Sequence, residues 1–250
     1  MKIACIIPSR YASTRLPGKP LRMIAGKTLV RRVYERAILA MLPDVVIVAT
    51  DHKDIEKEVR SFGGDVVMTS ADHPTGTDRL AEVAESLPDY DIIVNVQGDE
   101  PFIASSQLRA IADCFDNPDT QIATLVKPFG LNAPMELIEN PNSPKVVVSN
   151  DGFALYFSRS VIPYLRGVER SEWSKQHNYL KHIGLYAYRT EVLKQITAMP
   201  QGKLEICESL EQLRWLQAGL RIKVGTTDVE TIGIDTPEDL ERAEKFLNQK

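Results

Sequence analysis

Cysteine is scarce in this chain of 250 residues, and the three cysteines are Cys5, Cys114 and Cys207. Their number is odd, they lack CxxC spacing, and each lies in an apolar or helical context where burial explains it, so a reducing compartment fits. Long hydrophobic runs are absent too, because the apolar run at residues 3–7 is too short for a secretion signal or a membrane span. We therefore expect a cytoplasmic protein with no membrane partner.

Positive charge is not concentrated anywhere in the chain. Thirty Lys and Arg residues stand against 34 Asp and Glu, which gives a net charge of −4. No basic run could neutralise a phosphodiester backbone, so nucleic acid is not expected as a partner. A hydrophobic content of 43% is enough for one large core or two modest ones. We expect one domain with an embellishment.

Short apolar runs alternate with amphipathic stretches in the first half, which is typical of a mostly parallel sheet flanked by helices. The predicted fold class is therefore α/β. The predicted strands cover residues 3–8, 45–49, 66–68, 92–96 and 122–126, and the predicted helices residues 29–41 and 79–86.

The second half has a looser pattern and more turn residues. It predicts a smaller β-rich lobe at residues 131–190, between a first half at 1–130 and a last part at 191–250 that consists of returning helices and a strand. The predicted strands are 145–149, 153–158 and 183–188, with a hairpin at residues 150–152, and the predicted helices are 204–218 and 237–247. The polar segment 165–178 is interpreted as a mobile loop.

The loop PSRYASTRLPGKPL, residues 8–21, follows the first predicted strand. An open α/β sheet binds its ligands at this edge, where arginine and lysine suit phosphate oxygens. The loop therefore predicts a polyanion site, the alternative being a solvated basic turn. Leu21 stands where a Walker loop would need glycine, and the chain has no GxGxxG fingerprint, which weakens ATPase and dehydrogenase interpretations.

A second polar segment, QGDEP at residues 97–101, follows the fourth predicted strand and reaches the same edge. Its carboxylates could hold Mg²⁺ against phosphates. We predict that Asp99 is one ligand of the metal ion and that Asp235 is the second. The alternatives are an acidic turn for Asp99 and a helix cap for Asp235.

Further polar groups surround these two segments. Residues 73–79, HPTGTDR, form a turn at a predicted helix start that could contact a base or a phosphate. Arg159, Lys181, His182 and Arg189 flank the aromatic strands of the second half, where they could form a wall for an anionic acceptor. His182 is equally well interpreted as a structural histidine.

The chain resembles the 3-deoxy-manno-octulosonate (Kdo) cytidylyltransferases, the CMP-Kdo synthetases, over nearly its whole length. The resemblance rests on the loop at 8–21 and on VATDH (48–52), TGTDRLAEV (75–83), IVNVQGDEP (93–101), ALYFSR (154–159), KHIGLYAYR (181–189), ESLEQLR (208–214) and GIDTPEDLE (233–241). ALYFSR and ESLEQLR are the most specific of these segments.

The resemblance implies a Rossmann-like nucleotidyltransferase that transfers CMP from CTP to Kdo by in-line attack of the anomeric hydroxyl on the α-phosphorus. It further implies Mg²⁺, a homodimer formed through the second half, and a role in lipopolysaccharide or capsule synthesis. Residues 1–130 would then be the nucleotide-binding half, residues 131–190 the lobe for the acceptor and the dimer contacts, and residues 191–250 would include the strand of the metal site. The implied phosphate ligands are Arg10, Ser13, Arg15 and Lys19, with Thr77 and Gln97 near the nucleotide and Asp99 and Asp235 on Mg²⁺. Arg10, Lys19, Asp99 and Asp235 would be catalytic, and the implied acceptor residues are Arg79, Gln97, Arg159, His182, Tyr186, Glu211 and Gln212.

The chain departs from the family pattern in three places. Ser9 replaces the usual alanine and Thr75 the commoner serine, and residues 165–178 match nothing in the pattern. The last departure leaves a modified Kdo, such as an 8-amino analogue, as an alternative acceptor. A transferase for sialic acid or methylerythritol phosphate, a noncatalytic nucleotide-binding regulator and a dehydrogenase are the rival functions. The residues alone do not distinguish CTP from UTP.

Overall fold

The computed structural model describes residues 1–12, 16–230 and 233–248. Its strands are β1 (Ile3–Ser9), β2 (Met23–Ile24), β3 (Lys27–Thr28), β4 (Val45–Thr50), β5 (Asp65–Met68), β6 (Ile92–Asn95), β7 (Ile122–Pro128), β8 (Lys145–Val148), β9 (Ala154–Ser158), β10 (Leu180–Arg189) and β11 (Ile222–Thr226). The α-helices are α1 (Leu29–Leu39), α2 (Lys53–Ser61), α3 (Gly76–Glu85), α4 (Ser105–Asp113), α5 (Met135–Glu139), α6 (Trp173–Gln176), α7 (Thr190–Thr197), α8 (Lys203–Glu208), α9 (Gln212–Gln217) and α10 (Pro237–Asn248). The α/β class is confirmed.

The first of two compact units consists of Met1–Arg109, Ala187–Thr197 and Thr231–Lys250. Its strands β6, β1, β4 and β5 lie side by side in that order and pair in parallel. The β1 side chains Ile6 and Ile7 are fully buried. The predicted β-branched runs therefore form a parallel sheet, in which all the carboxyl ends meet at one edge.

Two helices of this unit show how the local sequence sets its elements. α1 buries Leu29, Val33 and Ala37, which follow the helical spacing of an amphipathic face. α3 begins at a capping box, in which the Thr75 hydroxyl accepts from the Asp78 backbone N–H while the Asp78 carboxylate accepts from the Thr75 N–H. That box places the start of α3 three residues before the predicted one.

The second unit consists of Ala110–Tyr186 and Ala198–Glu230. β7 and β11 pair in parallel, while β8 pairs in antiparallel fashion with both β9 and β10. Gly152, with φ of 79°, lies in the tight connection from β8 to β9, so the predicted hairpin is confirmed. The predicted division of the chain at residues 130 and 190 stays a prediction about domains.

The prediction of one helix over residues 204–218 is wrong. The structure has α8 and α9 instead, separated at Ser209, whose φ of 51° is left-handed. The Ser209 carbonyl accepts a hydrogen bond from Arg159 Nη2 at 3.2 Å. A long-range contact at the break thus stabilises a backbone state that the local sequence does not encode.

The interpretation of residues 165–178 as a mobile loop is also wrong. The segment contains α6 and packs on a small hydrophobic cluster of Ile138, Trp173 and Tyr179, each at most 2% exposed. The Trp173 indole N–H donates to the Val168 carbonyl at 3.0 Å, and the Tyr179 hydroxyl donates to Pro163 at 3.1 Å. Two buried aromatic anchors therefore hold the segment in place. Among the described helices, none is long and apolar enough to cross a membrane.

Candidate active site

The carboxyl edge of β1 and β6 brings two polar segments together in the first unit. Gly98 follows β6, and a Cβ atom at this position would lie 2.5 Å from the Pro8 carbonyl oxygen and 3.0 Å from Ser9 Oγ. Real Cβ atoms do not approach other atoms that closely, so only glycine lets the segment after β6 lie against the end of β1. Gly98 thereby places Asp99 beside the predicted polyanion loop.

Lys19 lies between the two predicted metal ligands. Its Nζ is 2.8 Å from Asp99 Oδ2 and 3.1 Å from Asp235 Oδ1. Gly18, with φ of 64°, and Pro20 begin the short 3₁₀ turn that carries the lysine. The Ile234 backbone N–H donates to the Asp99 carbonyl at 2.9 Å, which fixes the two aspartate segments to each other. The structure thus brings together three residues that are far apart in sequence.

Arg10 extends from the same edge and is exposed to solvent. Its Nη1 donates to the carbonyl of Pro74 at 3.4 Å, in the turn that precedes α3. Thr77, in the first turn of α3, is 5% exposed. Gln97 follows β6 and is partly buried. The predicted phosphate ligands Ser13 and Arg15 lie outside the described residues.

Arg79 is completely buried within the first unit, although it was predicted to contact the acceptor. Its guanidinium donates to the Thr69 hydroxyl and forms an ion pair with Asp51, with an Nη2–Oδ2 distance of 3.1 Å. These contacts give Arg79 a structural role that the sequence did not indicate. The contact of Arg79 with the sugar acceptor stays a prediction.

Replacing Arg79 with methionine should lower the free energy of unfolding by about 3–5 kcal/mol, because the buried ion pair loses one partner and Asp51 is left uncompensated. Urea unfolding followed by circular dichroism measures the change. Arg60→Met is the matched control: Arg60 pairs with Glu56 at 2.9 Å but is 63% exposed, so about 0.5 kcal/mol or less should be lost. Equal losses in the two variants would contradict the structural role.

A second group of predicted residues lies within the second unit. The Arg159 guanidinium donates to the carbonyls of Pro141, Glu208 and Ser209, at 2.8, 2.6 and 3.2 Å. Glu211 immediately precedes α9, and its carbonyl accepts from Arg214 at 3.0 Å. Arg159 therefore ties the end of β9 to the turn between α8 and α9, close in sequence to the predicted acceptor residues.

The Gln212 amide has the features of a ligand contact. Gln212 is the first residue of α9 and is 4% exposed, yet its Nε2 has no hydrogen-bond partner among the described residues. A buried amide donor without a partner costs free energy, so bonding to a ligand would repay that cost. This observation favours a polar ligand next to α9.

His182 lies in an aromatic environment within the second unit. Its ring is 5.1 Å from Phe157 and 5.4 Å from Tyr186, and Tyr186 in turn packs against Trp215 at 5.3 Å. Its Nε2 is 3.0 Å from the hydroxyl of Thr124. Burial lowers the pKa of His182 from 6.5 to about 3. The imidazole is therefore neutral at ordinary pH and can form a hydrogen bond with a ligand without carrying charge.

This neutral histidine makes stability depend on pH. Between pH 6.5 and pH 3 the unfolded chain binds a proton that the folded His182 excludes, so stability should fall as the pH drops through this range. We expect the urea midpoint of the wild type to fall more between pH 7 and pH 5 than the midpoint of His182→Gln. Parallel pH profiles would contradict the assignment of a buried neutral imidazole.

Sequence reasoning did not select Glu208 or Thr124. The Glu208 carboxylate accepts hydrogen bonds from Ser158 Oγ at 2.7 Å and from the Arg159 N–H at 2.9 Å. Glu208 is the first residue of ESLEQLR, so its place in that motif was an available signal. Thr124 lies inside the uncharged run at residues 122–126, and nothing in the local sequence distinguishes it.

The chain is similar to known proteins over its whole length. The family model described as cytidylyltransferase matches residues 4–222. Two curated relatives, from Bacteroides thetaiotaomicron and Phocaeicola vulgatus, are 59% and 58% identical, and both are named 3-deoxy-manno-octulosonate cytidylyltransferase. The alignment to the first covers 100% of both chains, and the alignment to the second covers 100% of this chain and 99% of the relative.

A solved structure is similar over the same length. It is described as CMP:2-keto-3-deoxy-manno-octonic acid synthetase complexed with CTP. The TM-score is 0.91 at 41% sequence identity, and the match covers 100% of this chain and 99% of the other. The likeness supports a nucleotidyltransferase fold.

Proposed function

The chain belongs to the cytidylyltransferase family, and we propose that it transfers CMP from CTP to the anomeric hydroxyl of Kdo, with release of pyrophosphate. The names of the two relatives support Kdo as the acceptor, ahead of an 8-amino analogue or another acidic sugar. The CTP in the similar solved structure supports CTP as the donor.

The observation that carries this proposal is the position of Lys19 between Asp99 and Asp235. A cation and two carboxylates at the carboxyl edge of a parallel sheet suit a nucleoside triphosphate with its metal. The Lys19 side chain is 16% exposed, so most water is excluded from it. Electrostatic interactions are stronger in such a partly desolvated site.

Catalysis by these residues consists of positioning and charge compensation. Arg10 and Lys19 bind the triphosphate, and Ser13 and Arg15 are proposed to complete the loop around it. The acceptor hydroxyl attacks the α-phosphorus and pyrophosphate leaves in line, without a covalent intermediate on the enzyme. Phosphoryl-type transfer needs little more from a protein than alignment and stabilisation of the developing charge.

Mg²⁺ is the proposed metal, and the residues fit it. Asp99 Oδ2 and Asp235 Oδ1 both lie within 3.1 Å of one cation, Lys19 Nζ, so the pair already accommodates positive charge between them. The described residues contain no group of three or more acidic, histidine or cysteine ligands. Two carboxylates suit Mg²⁺, which takes its other ligands from phosphates and water. When bound, the ion would neutralise phosphate charge and lower the pKa of a coordinated hydroxyl.

The acceptor residues of the second unit are proposed to bind Kdo through hydrogen bonds. Gln212 offers its buried amide and His182 a neutral imidazole. Arg159, Tyr186 and Glu211 are the other proposed contacts in this unit, and Thr77, Arg79 and Gln97 keep their predicted roles in the first. Buried polar groups that need a hydroxyl partner reject analogues lacking it, which would give selectivity for the sugar.

We also propose that the protein is a homodimer that works in the cytoplasm and supplies lipopolysaccharide or capsule synthesis. Several large apolar side chains of the second unit are more than half exposed, namely Leu131, Leu137, Leu155, Tyr164 and Ile206. They support association through this unit. The free thiols of Cys5, Cys114 and Cys207 fit a reducing compartment. Sedimentation velocity tests the dimer.

An acceptor screen tests the activity. Kdo, its 8-amino analogue, a sialic acid and methylerythritol phosphate are each incubated with CTP and Mg²⁺, and products are separated by anion-exchange chromatography. We expect a CMP-sugar from Kdo at a far higher rate than from the others. Binding of CTP without pyrophosphate release for any acceptor would instead indicate a noncatalytic regulator and overturn the proposal.

A further inference from the structure

Lys145 is a charged residue in a buried position, where an unpaired charge would cost much free energy. It is the first residue of β8, and its side chain is 0% exposed. Its Nζ donates to two backbone carbonyls, that of Arg159 at 2.6 Å and that of Asn140 at 3.1 Å. Burial lowers the pKa of Lys145, an effect that the Glu208 carboxylate opposes. A buried ammonium is tolerated only when it is well hydrogen-bonded, so these two carbonyls account for its position.

Glu208, like Lys145, bonds to the backbone of Arg159. Its carboxylate accepts from the Arg159 backbone N–H at 2.9 Å, while Lys145 donates to the Arg159 carbonyl. Both backbone groups of Arg159 are thus bonded to charged side chains. We call Lys145 and Glu208 together the Arg159 clamp. Charge-assisted hydrogen bonds are stronger than neutral ones, so the clamp restricts how the arginine leaves the end of β9.

The strand register links the clamp to His182 as well. Lys145 lies opposite Ser158 in the β8–β9 pair and opposite Lys181 in the β8–β10 pair. The preceding residue, Pro144, accepts the His182 backbone N–H at 2.8 Å. The dipeptide 144–145 therefore touches the backbones of both Arg159 and His182.

We infer that Lys145 and Glu208 are positioning residues for acceptor binding, because they fix the backbone from which Arg159 reaches its ligand. The inference rests on the proposed function, in which Arg159 contacts Kdo. The mechanism itself assigns neither residue a contact with a substrate. Their effect should therefore fall on the acceptor and leave CTP unaffected.

The test is steady-state pyrophosphate release by Lys145→Met, with Kdo and CTP varied separately. We expect the KM for Kdo to rise about tenfold, because the Arg159 backbone loses one of its two charged partners. The KM for CTP should stay within about twofold of the wild type, because the phosphate site of the first unit is unchanged. Lys223→Met is the matched control. Lys223 also donates to a backbone carbonyl in the second unit, that of Asp151 at 2.5 Å, and should leave both KM values unchanged.

Two further variants make the result decisive. Glu208→Gln keeps the shape of the side chain but removes its charge, and it should also raise the KM for Kdo selectively. If Lys145→Met does not fold, Glu208→Gln tests the inference in its place.

In an Arg159→Ala background, Lys145→Met should have no further effect on the KM for Kdo. An unchanged KM for Kdo, a parallel rise in both KM values, or a full additional effect without Arg159 would overturn the inference. Wild-type release with Kdo, measured in the same assay, tests the proposed function independently of these variants.

Discussion

Replacing Asp99 with asparagine should reduce the rate of pyrophosphate release by about three orders of magnitude, even at saturating Mg²⁺. The change removes one of the two carboxylates that flank Lys19, at 2.8 and 3.1 Å, and with it one of the proposed metal ligands. Losing one preorganised electrostatic contact to a reacting phosphate costs roughly 10²–10³ in rate, and a metal ligand belongs at the upper end of that range. Rates measured across a Mg²⁺ titration give the size of the effect.

Asp89→Asn is a suitable control for this experiment. Asp89 is an exposed residue of the first unit, in a turn away from the carboxyl edge of the sheet, and its replacement should leave the rate unchanged. Asp235→Asn should resemble Asp99→Asn, because both carboxylates contact the same ammonium. Near-normal turnover of Asp99→Asn at high Mg²⁺ would show that the carboxylate is not a metal ligand.

Lys19→Met should lower kcat/KM for CTP by about 100-fold or more. The substitution keeps most of the side-chain length but removes the charge that lies between Asp99 and Asp235. The triphosphate would then lose a cationic ligand, which disfavours both its binding and the transition state. Initial rates at varied CTP concentration measure the loss.

Lys27→Met provides the comparison for this lysine. Lys27 also pairs with a carboxylate, Glu35 at 2.6 Å, but its side chain is 41% exposed and belongs to the short strand β3. Its replacement should change kcat/KM less than twofold, as expected when an exposed ion pair is lost. Equal effects of the two substitutions would mean that Lys19 acts only as a surface charge.

The parallel sheet could be predicted because its strands are buried on both faces. Runs such as VVIVA at residues 45–49 carry no charge and are bounded by polar turns, which is a local signal. α2 was missed because it is short and buries only Ile55 and Val59, so its apolar face is narrow. A strand was expected within residues 191–250 but could not be assigned to β11, because the β11 sequence, IKVGT, is mixed and its pairing with β7 is a long-range contact.

The candidate site was predictable in part for a geometric reason. Parallel strands end at one edge, so Lys19 after β1 and Asp99 after β6 had to lie near each other. The strand expected near Asp235 had no predicted bounds, and the place of Asp235 beside Lys19 depends on the hydrogen bond from the Ile234 N–H to the Asp99 carbonyl. From the sequence, Asp235 could be proposed as a Mg²⁺ ligand only because it is a carboxylate.

The surroundings of Arg159 were beyond sequence reasoning. Its contacts with Glu208 and Ser209 span about 50 residues, and they accompany the break between α8 and α9 at Ser209. Lys145 is a single lysine at the start of the run KVVV, which resembles an ordinary strand end. Only the folded structure shows that its ammonium is buried against the Arg159 carbonyl.

Pyrophosphate release from CTP or UTP, with and without Kdo and with and without Mg²⁺, tests the proposed transfer most directly. We expect rapid release only when CTP, Kdo and Mg²⁺ are all present, together with a CMP-linked sugar in equal amount. Release from CTP at the same rate without Kdo, or none with all three present, would contradict the proposed transfer.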